Sequence, residues 1–141
     1  LLLKILAEKS WKISPECINT SNDFEKNIQG ETAGLVIGDR TFALKNKFSY
    51  VYDLADEWKK FCGLPFIFAC WVSNKKIPED FISRFNLALE TGLKNIPLVA
   101  SQHLSNGFDS LDYLSKKVSY NFDDRKKEAM KLFLKLSEEF S

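Results

Sequence analysis

The chain has 141 residues, 45% of them apolar and 13% aromatic, enough for one domain with a substantial core. Twenty Lys and Arg against nineteen Asp and Glu leave a formal net charge of +1, which removes the electrostatic case for a nucleic-acid partner or a membrane surface. No apolar run approaches the roughly 18 residues of a membrane span, and nothing at the start resembles a signal peptide, so a cytoplasmic location is expected.

Residues 1–9 read as an amphipathic helix that begins in its own interior. Leu1-Leu2-Leu3-Lys4-Ile5-Leu6 has no Ser, Thr, Asp or Asn before it to satisfy the first N–H groups. The expectation is a chain truncated at its N-terminus, with the cap lying upstream. Residues 11–18 suggest a strand interrupted by Pro15, and residues 22–28 a short helix closed by Gly30. Residues 33–37 form a continuous apolar run, the pattern of a strand buried on both faces, and it ends in Gly38-Asp39. Strand ends that carry a glycine and a carboxylate are where open α/β proteins gather ligand groups.

Asp53 then caps a helix with Asp56 and Glu57 in its first turn and Lys59 and Lys60 in its last. Leu54, Trp58, Phe61 and Cys62 make its buried stripe, and Gly63 ends it. Residues 64–72 are expected as a second, unusually long strand. Beyond a polar turn at 73–77 the pattern turns helical. Pro78-Glu79-Asp80 opens a helix in which Phe81, Ile82, Phe85, Ala88, Leu89 and Leu93 recur at helical spacing. A loop is expected over 95–107, then helices over 109–118 and 123–140, the last with Ala129, Leu132, Phe133, Leu136 and Phe140 on one face. Cys17, Cys62 and Cys70 lack metal-ligand spacing and are expected as reduced, buried thiols.

Ile37-Gly38-Asp39, Tyr52-Asp53-Leu54, Glu57-Trp58 and Gly63-Leu64-Pro65-Phe66 through Trp71-Val72, in this order and at these distances, resemble chorismate dehydratase, the enzyme that opens the futalosine route to menaquinone. The resemblance extends to the segment from Tyr113 to Tyr120 and to the final amphipathic helix. It implies an α/β architecture, the two-lobed type II periplasmic-binding-protein-like fold, with the substrate in the cleft. Residues 1–70 would be the inserted second lobe. Residues 71–141 would be a hinge strand and C-terminal helices of the first lobe, whose sheet lies mostly in the missing N-terminal half. The related family that cleaves cyclic dehypoxanthinyl futalosine places a His and a carboxylate where this chain has Gly38 and Asp39, which makes the dehydratase the better match.

The implied reaction is an elimination: chorismate loses its ring hydroxyl and the neighbouring ring proton to give 3-[(1-carboxyvinyl)oxy]benzoate. It implies no metal and no cofactor, only donors for two carboxylates, a route for the proton and help for the departing hydroxide. Backbone N–H groups at a helix N-terminus suit a carboxylate, and the helix near Leu1 is one candidate. The candidate substrate-binding residues are Gly38, Asp39, Arg40 and Trp71, with Asp39 also a weak candidate for proton transfer. Each has a plainer alternative: a positive-φ turn for Gly38, a turn carboxylate for Asp39, surface exposure for Arg40 and hinge packing for Trp71. Asp53 reads as a helix cap, Tyr113 and Tyr120 as packing, and His103 as a satisfied or solvated histidine, with a general-base role as the alternative. The partner is a small molecule, with homo-oligomer formation left open. The competing readings are a solute-binding protein of the same fold that does no chemistry, and a degenerate or regulatory lobe. The 141-residue chain alone is expected to lack activity and to leave apolar surface uncovered.

Overall fold

The structure, a computed structural model, describes residues 1–20, 23–38, 40–44, 46–102 and 109–140. They divide into two compact units, one of Leu1–Ile67 with Asp123–Ser141 and the other of Phe68–Phe122.

The first unit is organised by helices whose ends the local sequence dictates. α1 (Leu2–Ile5) runs on without a break into a π-helical turn, Leu6–Trp11, and buries Ile5, Leu6 and Ala7. Among the described residues no side chain caps its start. A 3-10 turn, Phe24–Asn27, and the short α2 (Arg40–Leu44) follow. α3 (Leu54–Cys62) has the expected cap. The Asp53 carboxylate accepts from the backbone N–H of Ala55 at 2.8 Å and of Asp56 at 3.3 Å, and Gly63 ends the helix in the left-handed conformation.

Trp58 of α3 is fully buried and forms the centre of the core. Its ring meets Phe61, Phe66 and Phe133 at centroid distances of 5.9, 5.6 and 6.0 Å, the last two edge to face. Phe133 lies on α7 (Asp124–Ser137), which Asp123 caps by accepting from the Lys126 N–H at 2.9 Å. α7 is further tied to the end of α3 by Arg125, which donates to the Gly63 carbonyl at 2.8 Å. Lys9 closes the unit on the other side, bonding Glu139 at 2.5 Å and sitting over the Phe140 ring. The sequence expectation grouped this last helix with residues 71–122; here the aromatic cluster packs it against α3.

The second unit holds α4 (Glu79–Lys94), α5 (Ile96–Gln102) and α6 (Ser110–Asp112), which passes into a π-helical turn, Tyr113–Lys117. α4 has the expected bounds, yet no residue on it is buried, so its apolar face stays uncovered within the unit. α5 replaces part of the expected loop. Pro97 falls in the first turn of this helix, where its missing N–H is no loss.

Among the described residues there is no strand. Residues 11–18, 33–37 and 64–72 were expected as strands. Apart from the helical turn that ends at Trp11, they are irregular or extended chain, and no backbone hydrogen bond pairs one with another. An apolar run becomes a strand only by exchanging ladder bonds with a neighbour, and these segments meet none here. Their side chains show the consequence, with Ile37 and Trp71 each 78% exposed. The cysteine expectation is corrected for the same reason: Cys17 and Cys70, on extended segments, are exposed, and only Cys62 is half-buried, its thiol on the Trp58 carbonyl. All three are free thiols.

Candidate functional site

The Gly38 turn is built by the residues on either side of it. Gly38 has φ +80°, and its carbonyl accepts from both the N–H (3.0 Å) and the hydroxyl (2.8 Å) of Thr41, which fastens the turn to the start of α2. A Cβ at this position would meet nothing within 4 Å, so the turn lies open. Glycine is thus required by the backbone conformation and also leaves room beside it. Asp39, the candidate for proton transfer, lies outside the described residues, as does His103.

Arg40 opens α2 and is not a free surface cation. Its Nη2 donates to Glu25 Oε1, and its guanidinium lies over the Phe24 ring, 5.7 Å from the centroid. The Glu25 side chain is 18% exposed and that of Arg40 54%. The Glu25 carboxyl is held below the usual carboxylate range by its own backbone N–H and by the Arg40 guanidinium, against a smaller opposing effect of desolvation. The turn that carries Phe24 and Glu25 presses against the extended segment that leads to Gly38. A Cβ on Gly34 would come within 2.4 Å of Ile28 Cδ1 and 2.9 Å of Phe24 Cε2. Gly34 is therefore a close-approach glycine.

Trp71 belongs to the second unit, whereas Gly38 and Arg40 belong to the first. The Trp71 ring stands edge-on to Phe85 at 5.3 Å, and Phe85 stacks on Phe81 at 6.1 Å. Phe81, Phe85 and Arg84 line an open depression of about 370 Å³, where Arg84 is paired with Asp80 at 2.9 Å. This gives an apolar wall with one cation that is already engaged.

The remaining candidates are placed as follows. Asp53 is a helix cap. Tyr113 and Tyr120 are part exposed, and the Tyr120 hydroxyl donates to the Leu114 carbonyl at 3.0 Å. Among the described residues no group of three or more His, Cys, Asp or Glu is placed to hold a metal ion, and no helix is long and apolar enough to cross a membrane.

Sequence reasoning did not find Glu25 or Phe24. The pair with Arg40 spans fifteen residues, which no local pattern reports. The one available signal was Gly34 inside an apolar run, since a glycine there marks a place where other groups come close. The Arg40–Glu25 pair lies beside the open Gly38 turn. A guanidinium fixed on one side by a carboxylate and a ring has further N–H groups for an oxyanion.

No solved structure matches this chain. A family model described as menaquinone biosynthesis matches residues 1–139, and the chain belongs to that family.

Proposed function

We propose that the protein is a chorismate dehydratase, a carbon–oxygen lyase that removes water from chorismate to give 3-[(1-carboxyvinyl)oxy]benzoate, within the two-lobed type II periplasmic-binding-protein-like fold. The observation that carries this reading is the match to the menaquinone biosynthesis family over residues 1–139, together with the ordered motif from Ile37-Gly38-Asp39 to Trp71-Val72. A role in menaquinone biosynthesis narrows the chemistry, and the residues at 38 and 39 favour the dehydratase over the futalosine-cleaving relatives.

The local geometry supports the recognition half of the reaction. Chorismate carries two carboxylates, and Arg40 is an exposed, pre-oriented guanidinium next to an open turn. In the elimination a C–H and a C–O bond break, the ring becomes aromatic, and one water leaves, with no net oxidation. Aromatisation supplies the driving force, so the protein's task is to orient the ring and to stabilise the departing hydroxide.

The test is to incubate the complete gene product with chorismate and follow the enol-ether benzoate chromatographically. Product should form in proportion to enzyme. A folded, complete gene product that binds chorismate and releases no product would overturn the dehydratase reading in favour of a binding protein.

A further inference from the structure

We propose that Glu25 is a positioning residue for substrate recognition: by holding Arg40 against Phe24 it aims the guanidinium at a carboxylate of a cyclic dicarboxylic acid. The inference rests on the chorismate reading only for the identity of that acid.

Three observations converge on it. First, the Arg40–Glu25 bond uses a single guanidinium nitrogen, Nη2, and the other N–H groups have no partner among the described residues. A guanidinium bound along one edge can still engage an oxyanion with the rest of its fork. Second, the hold is more than a surface ion pair. The Glu25 side chain is largely covered while that of Arg40 is not, and the guanidinium also lies over the Phe24 ring. Two contacts from one short turn fix both the plane and the direction of the fork, where a lone exposed pair would leave it mobile. Third, Gly34 lets that turn press against the segment running into Gly38, so the part that holds Arg40 is registered to the open turn two residues before it. The charge state agrees with such a role: a carboxyl held below its usual range stays ionised and paired at neutral pH.

Positioning predicts an effect on binding more than on turnover. In the complete gene product, Glu25→Gln replaces a charge-assisted bond with a neutral one and should raise KM for chorismate about fivefold while kcat stays within about twofold. Glu25→Asp restores the charge and should recover part of the loss. Binding of isophthalate, an unreactive 1,3-dicarboxylate, is measured alongside by titration calorimetry. Its Kd should rise about fivefold in Glu25→Gln and tenfold or more in Arg40→Gln. Should Glu25→Gln fail to fold, Arg40→Lys decides the question, because it keeps the charge and loses the fork; the expected result is again a raised KM with kcat retained.

An unchanged KM and Kd in folded Glu25→Gln overturns the proposal. So does tighter binding, which would make Glu25 a competitor of the ligand, and so does a loss of thermal stability with no change in KM. Isophthalate binding with the expected variant pattern but without chorismate turnover would sink the dehydratase reading and leave Glu25 its role. Absence of binding to either acid would sink both.

Discussion

Trp58 allows a sharp test of how the core is built, because its two halves carry opposite free energies. The ring is fully buried among Phe61, Phe66 and Phe133, yet its Nε1–H has no hydrogen-bond partner among the described residues. Truncation in Trp58→Ala removes the ring and leaves a cavity, which costs about 3–5 kcal/mol. That is a large share of the roughly 5–15 kcal/mol that holds a domain together. Trp58→Phe keeps a ring for the edge-to-face contacts and gives up about 1–2 kcal/mol of burial. It also removes an orphaned donor whose burial costs about 1–3 kcal/mol. The two effects nearly offset, so the net change should lie within about 1 kcal/mol. Trp11→Phe is the control, since that indole N–H does have a partner, Glu57 Oε2 at 3.0 Å, and its loss leaves a buried carboxylate with one donor fewer. Urea unfolding followed by far-UV circular dichroism gives all three values, provided the slopes agree. A loss in Trp58→Phe as large as in Trp58→Ala, or larger than in Trp11→Phe, would refute the offset.

Two further outcomes follow from single residues. Glu57 is buried, and Lys60 and then Trp11 hold its carboxyl below the usual 4.5, so its folded-state pKa is depressed. Its stabilisation is therefore complete above that usual value and is lost as pH falls through it toward the folded pKa. Denaturation midpoints measured from about pH 6 down to about pH 3 should show a shallower acid decline in Glu57→Gln than in the unaltered protein, and parallel curves would rule Glu57 out as a source of the slope. At Gly38 the φ of +80° with open space around the missing Cβ separates strain from collision. Gly38→Ala should lose about 1–2 kcal/mol in urea unfolding, the strain of a left-handed residue alone, and a loss above about 3 kcal/mol would reveal a clash.

How far the fold could be read depended on the distance over which each signal acts. α3 was legible in full because all its determinants are local: Asp53 at one end, Gly63 at the other, and Trp58 facing the core between them. α4 was legible as a helix, from Pro78 to Lys94, and uncovered apolar surface was expected of the chain, although not its place on α4. The stripe of Phe81, Phe85 and Leu89 reports what the helix is able to bury. What covers it is decided elsewhere. The same distinction explains the expected strands. Residues 33–37 and 64–72 have the composition of buried strands, and composition says nothing about whether a ladder partner is present.

The candidate site divides along the same line. Gly38 was legible because a positive-φ turn has a local signature, and Arg40 was named from its chemistry and its place two residues later. Its partner was not legible. Glu25, like the Trp11–Glu57 and Arg125–Gly63 bonds across separations of 46 and 62 residues, meets its partner only after the chain has folded back. This bears on function directly. From sequence, Arg40 had two readings, a carboxylate-binding residue or an exposed surface cation. The structure shows the side chain exposed on one side and held by Glu25 and Phe24 on the other. A cation held in that way loses little conformational freedom when an anion arrives, and pre-orientation of this kind is what raises affinity without adding a contact.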